Sequence, residues 1–178
     1  MTIESHGKMK LTIELVPSTV WYLSIYQFYK KARQPQKWHE IKRRLFEKEG
    51  RFCWICREES ARLEAHEIWS YDDIRHIQKL EGIHHLCHFC HKIKHIGLWL
   101  HTQDGERMLK KEGFLKEDII RHFCKVNGCS WEEFKRKEDE AFRVWKQRSR
   151  FQWKQDFGEY DPAHERKQQE NLTLQRFL

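Results

Sequence analysis

The sequence predicts an α+β fold, mainly helical, in which a small zinc-braced module is flanked by N-terminal and C-terminal helices. Three observations predict it. Cys53-Trp54-Ile55-Cys56 and Cys87-His88-Phe89-Cys90 are a matched pair of Cys-x-x-C turns. Arg62–Ile68 alternates apolar and polar residues at the period of a strand. Apolar residues at helical spacing, with cap signals, recur on both sides of that centre. The 178 residues suit one compact domain with decorations, or two small ones. A hydrophobic content of 39% is low for a large core, and the 13% of aromatics, eight Trp among them, compensates because each ring buries much area.

Four segments follow in order. Residues 1–50 are an N-terminal aromatic, helical segment. Pro17-Ser18 marks a turn ahead of a helix over Thr19–Arg33 that holds Trp21, Tyr22, Tyr26, Phe28 and Tyr29. Trp38, Ile41, Leu45 and Phe46 recur at helical spacing over 36–50, and Gly50 suits the C-terminal cap. Residues 51–100 hold the metal module: a tight knuckle at Phe52–Cys56, a strand over Arg62–Ile68 ending near His66, a polar loop from Trp69 to Glu81, and a short helix at Phe89–Ile96 stopped by Gly97. Residues 101–150 are a helical extension. One helix spans Leu115–Val126 and ends at Asn127-Gly128. Ser130-x-x-Glu133 is a capping box ahead of a longer one, where Trp131, Phe134, Phe142 and Trp145 form a core-facing stripe. Residues 151–178, with Asp161-Pro162 and a Gln/Glu-rich run, are a C-terminal tail, extended or disordered. No internal repeat or compositional linker interrupts the chain.

Net charge is +7 and the pI about 9.1, a balance that favours polyanionic partners through counterion release. The first ten residues are polar and lack the apolar core of a signal peptide, and no run approaches the roughly 18 apolar residues of a membrane span. An intracellular, cytoplasmic setting of bacterial or phage type is expected, with no membrane partner. In such a reducing compartment paired Cys-x-x-C reads as a metal site rather than disulfides. Cys53, Cys56, Cys87 and Cys90 have the spacing of a four-cysteine zinc site, closed and structural. Such a site supplies folding energy to a domain with little core of its own. Cys124 and Cys129 have the wrong spacing and read as small buried hydrophobes.

His91 and His95 stand i,i+4 on the short helix, so both rings project from one face, and His66 ends the preceding strand. A strand, a connection and a helix sharing a metal make a ββα-metal arrangement. Over roughly Arg51 to Gly97, a little over a quarter of the chain, the sequence resembles the HNH endonuclease family. The matching pattern is Cys53-x2-Cys56, then Ala65-His66-Glu67-Ile68, then Leu86-Cys87-x2-Cys90-His91-x3-His95. The resemblance implies a ββα-metal fold with a bracing zinc, and a hydrolase that nicks or cuts nucleic acid, here expected to be double-stranded DNA. It implies that His66, His91 and His95 hold a second divalent ion, Mg²⁺, Mn²⁺, Ni²⁺ or Zn²⁺, beside the scissile phosphate as a Lewis acid.

The chain departs from the family at two places. Glu67 stands where the family has the histidine that activates water, and Gly82-Ile83-His84-His85 occupies the loop that holds its orienting asparagine. Three readings of Glu67 stay open: general base, metal ligand or partner that fixes a histidine tautomer, and a mark of lost cleavage. In a register shifted by one, His66 is itself the base and the strand ligand is missing. His84 or His85 offers a substitute base. Asp72 or Asp73 offers a hard oxygen ligand or, more commonly, a turn cap. Trp69 and Trp99 pack around the module. Lys92 and Lys94 are expected to face outward towards a DNA backbone, with Arg43, Arg44, Lys135–Lys137 and Arg143–Lys154 as further basic patches. The alternative function, from another class, is a catalytically inactive zinc protein of the same fold that binds DNA or inhibits a protein. A purely structural subunit, docked through the aromatics of residues 18–30, is a third.

Overall fold

A computed structural model describes residues 9–161. The Gln/Glu-rich run expected beyond Asp161 lies outside them. The fold is α+β and rich in helix, as the sequence predicts. Among the described residues there are seven α-helices and one three-stranded sheet.

Helix α1, Ile25–Lys31, starts where the Ser24 hydroxyl accepts the Gln27 N–H. It is shorter than the predicted Thr19–Arg33 because residues 19–22 form a turn and Arg33 adopts a positive φ. Helix α2, Gln36–Glu49, ends at Gly50, whose φ of 64° few other residues adopt without strain. After the 53–56 knuckle come β1, Leu63–Asp72, and β2, Ile77–Cys87, an antiparallel hairpin in which His66 pairs with His84.

The hairpin corrects the predicted loop over Trp69–Glu81. Those residues complete β1, make the turn and begin β2. A register shift between Ile68 and Trp69 hides the alternation from a period-2 reading. The Asp72 carboxylate accepts the N–H groups of Ile74 and Arg75 in the turn. Asp73 forms a two-pronged ion pair with Arg148. Both aspartates are therefore occupied as turn cap and tether.

Helix α3, His88–Lys94, follows β2 directly. His95 breaks the helix, with φ −111° and ψ 32°, and α4 runs Ile96–His101. Gly97 thus lies inside a helix instead of stopping one. Helix α5, Gln103–Lys111, packs against α4 so closely that a Cβ on Gly105 would stand 2.0 Å from the Leu98 carbonyl oxygen. Helix α6, Lys116–Asn127, follows the predicted bounds closely, and α7, Trp131–Arg148, starts at the predicted Ser130 cap. Gly128 in the left-handed region caps α6, and the Ser130 hydroxyl caps α7. A short β3, Lys154–Asp156, pairs in parallel with the start of β2, so among the described residues β1 is a free edge of the sheet.

Two cores lie on the hairpin's faces. The larger joins Leu11, Leu86, Ile93, Ile96, Ile119, Phe123 and Phe134 to the buried cysteines. The smaller packs Ile25, Tyr29 and Leu45 on Leu80 and Ile83. Burying each large apolar side chain stabilises the fold by about 1.5–3 kcal/mol. On α7, Phe134 is fully buried and Phe142 and Trp145 are partly so, but Trp131 is 42% exposed and leaves the expected stripe. Cys124 and Cys129 pack half-buried against the larger core. No described helix is long and apolar enough to cross a membrane.

Candidate metal centres

The Sγ atoms of Cys53, Cys56, Cys87 and Cys90 all lie within 4.8 Å of one another. The knuckle brings the first pair, and the last residue of β2 with the first turn of α3 brings the second. Cys56 Sγ and Cys87 Sγ are 3.7 Å apart. A tetrahedron of zinc–sulfur bonds of about 2.3 Å has edges of roughly 3.8 Å, so the donor set fits a structural zinc. The thiols perturb one another strongly. Hydrogen bonds from Cys87 and Cys90 hold Cys53 well below the usual thiol range, and the contact with Cys53 pushes Cys87 up to about 12 and Cys90 higher. A divalent cation relieves that crowding by taking all four as thiolates.

His66, His91 and His95 also converge, with one ring nitrogen from each inside the same 4.8 Å limit. Their ring centroids stand 5.3, 5.1 and 4.6 Å apart, edges towards faces. The His95 N–H still donates to the His91 carbonyl at 3.2 Å, which preserves the i,i+4 alignment although His95 caps the helix. Burial lowers all three ring pKa values, His91 and His95 to about 4 and His66 well below its usual value. His95 is the most exposed of the three, so solvent dilutes its shift most. Neutral imidazoles are the metal-ligating form.

The trio lies in a cleft of about 240 Å³ that wraps the free edge of β1 and takes in Ala65, His66 and Glu67 together with Trp21 and Tyr26. A larger cavity, about 590 Å³, lies between residues 9–15, the end of β1 and α7, and none of the histidines lines it. Convergent ligands, not volume, mark the smaller cleft as the chemical site.

Glu67 follows His66 on β1, so its side chain leaves the opposite side of the strand, towards α1, and it too lines the cleft. Its carboxylate accepts the Ile25 N–H at the start of α1 (2.7 Å) and the Trp69 indole N–H (3.2 Å). Burial pushes its carboxyl up to about 7 against the pull of those two bonds. A carboxylate has about four acceptor positions, so two remain. His84 and His85 are elsewhere. His84 stacks on Trp54 with centroids 4.0 Å apart, and its Nδ1 lies 2.6 Å from Glu49. His85 is 1% exposed and packs on Phe46.

The lysines correct an expectation. Lys92 and Lys94 do not face outward. Lys92 is 2% exposed, its ammonium 3.0 Å from Glu112 and 3.0 Å from the Trp99 ring centroid. Lys94 bonds to Glu14 at 3.0 Å and to Thr12 at 2.9 Å, at the cleft wall. Long apolar stems let both bury, and each charge has a carboxylate.

Two residues escape the sequence reading. Glu64, two positions before His66 and so on its face of β1, places Oε2 3.2 Å from His91 Nδ1. That contact orients the ring and leaves the other nitrogen to a metal. The i,i+2 relation to His66 is a signal that was available. His122 on α6, 8% exposed, places Nε2 3.2 Å from Cys90 Sγ and 3.9 Å from Cys87 Sγ. Nothing local in the sequence points to it. Comparison with protein-family models, curated proteins and solved structures finds no match.

Proposed function

We propose that the chain is a metal-dependent nuclease of HNH type that hydrolyses DNA phosphodiester bonds. The observation that carries this reading is the convergence of His66, His91 and His95 at the floor of an open cleft, on a strand and helix braced by the cysteine cluster. A divalent ion held by the three histidines would supply Lewis-acid polarisation of the phosphate. Glu67 lines the same cleft with acceptor capacity to spare and takes a proton from the attacking water. Glu64 holds His91 in the ligating tautomer. The half-buried setting of His66 and His91 favours their neutral, ligating form.

The test is relaxation of supercoiled plasmid in Mg²⁺, Mn²⁺ or Ni²⁺, with His91→Ala as control. Cleavage by the native chain and at least a hundred-fold loss in the variant are expected. Equal activity in the two proteins would remove the site.

A second reading has its own observation. Glu67 accepts the first N–H of α1, a cap that stabilises a helix whether or not a reaction occurs. On that reading the fold is a zinc-braced binding or inhibitor module. It predicts one metal ion per chain by elemental analysis, and DNA or protein binding without cleavage.

A further inference from the structure

The cleft has an aromatic mouth that the metal chemistry does not use. Trp21 is 70% exposed, Tyr22 55% and Tyr26 40%, three exposed rings in the segment that precedes and begins α1. Trp21 and Tyr26 line the cleft that holds the histidines, and Trp38 backs Tyr26 with ring centroids 6.3 Å apart. Isolated exposed rings need no explanation, whereas a cluster at the mouth of a ligand-bearing cleft does. These rings also stand beside positive charge. Lys30, Lys31 and Arg33 are exposed at the end of α1, and the Lys31 ammonium lies 6.0 Å from the Tyr22 ring. Flat apolar faces beside cations suit a nucleic acid strand, whose bases stack and whose phosphates track the basic residues.

The size of the cleft narrows the occupant. About 240 Å³ is below the roughly 300–1,000 Å³ of drug-sized ligand sites, so it excludes a duplex and takes at most part of a nucleotide inside, such as the phosphate, with the base left at the mouth. A paired duplex also offers only base edges and hides the faces that Trp21 and Tyr26 would meet. We infer that the cleft takes an unpaired nucleotide, its base stacked on Trp21 and Tyr26 and its phosphate directed to the histidine trio. The preferred substrate is then single-stranded or locally opened nucleic acid, DNA or RNA. This deepens the nuclease reading and rests on the cleft being its site.

Binding of fluorescently labelled oligonucleotides with cleavage-resistant phosphorothioate linkages, followed by anisotropy with the native chain so that no probe is consumed, tests it apart from cleavage. A single-stranded DNA, a single-stranded RNA and the matching DNA duplex are the probes. At least ten-fold tighter binding of a single strand than of the duplex is expected. Trp21→Ala should weaken single-strand binding about ten-fold and leave duplex binding unchanged, and Trp21→Phe should restore most of it, since stacking contributes about 1–3 kcal/mol per base. The DNA and RNA arms identify which strand is preferred. Equal binding of strand and duplex, no binding of either, or an unchanged affinity in Trp21→Ala would overturn the inference. Absence of cleavage with any metal, alongside Trp21-dependent single-strand binding, would sink the nuclease chemistry and leave the stacking site intact.

Discussion

The cysteine cluster and the histidine cluster share one hairpin and one helix, yet their surroundings are opposite. Cys53, Cys87 and Cys90 are at most 8% exposed and belong to the larger core. His66, His91 and His95 open onto a cleft at the free edge of β1. The first cluster has four soft donors that close a tetrahedron. The second has three donors and room beside them. On the proposed reading, donor count and access would divide the work: a closed set would stabilise, and an open one would leave positions for a substrate. Each cluster has one outside helper. Glu64 reaches His91, and His122 reaches Cys90.

The comparison breaks most visibly if the cysteines are dispensable. Cys90→Ser should abolish cooperative thermal unfolding followed by circular dichroism, because metal binding at structural sites is worth about 10–16 kcal/mol and is inseparable from folding. A normal melt would make the histidine site the structural one. Next comes Glu67→Gln, which keeps an oxygen to accept the Ile25 N–H but cannot accept a proton from water. A drop in cleavage rate of about 10²–10⁴-fold, with only the small fall in melting temperature that losing the Trp69 bond brings, is expected of a general base. A fall in stability with the rate preserved would assign Glu67 to the helix cap alone.

The two helpers sharpen the contrast further. Glu64→Gln should weaken the ion at the histidines by about 10–100-fold, read by isothermal titration of Mn²⁺ or Ni²⁺, and leave tightly bound zinc at one per chain. His122→Ala should act on the other centre only. It should hasten zinc transfer to a chromogenic chelator, by about ten-fold or less, since the four cysteines remain. Crossed effects, with Glu64 changing zinc release or His122 changing Mn²⁺ affinity, would mean that the clusters are one coupled unit.

The legible parts of this molecule are the local ones. The two Cys-x-x-C turns and the i,i+4 histidines are short-range geometry, and the cap residues Ser130, Gly50 and Gly128 act within a turn of their own helices. Strand β2 was hidden because Gln78, Lys79, Glu81, His84 and His85 make it polar, although Gln78 and His85 are buried. Lys92 was misread because its charge suggests water, whereas Trp99 and Glu112 bury and pair it. His122 reaches the cysteines from 32 residues away along the chain, on a helix whose docking only the folded molecule displays. Of the open readings of Glu67, the contact with α1 adds a structural duty that no residue pattern announces.

One feature of the fold bears on how the cleft comes into being. The segment that supplies its aromatic wall is stitched to the far end of the described chain: Trp145 to Val16, Ser149 to Ser18, Phe151 to Thr19 and Gln155 to Leu23, at sequence separations of 129 to 132 residues. The knuckle, hairpin and α3, by contrast, close over a few dozen residues. Contacts so distant pay a larger loop-closure cost and tend to form late. During synthesis the cysteine module can assemble while the last helices are still unmade, and the wall of the cleft is tied down only after residues 145–155 have left the ribosome. A nascent chain would thus be metal-braced before it has a finished mouth for any substrate.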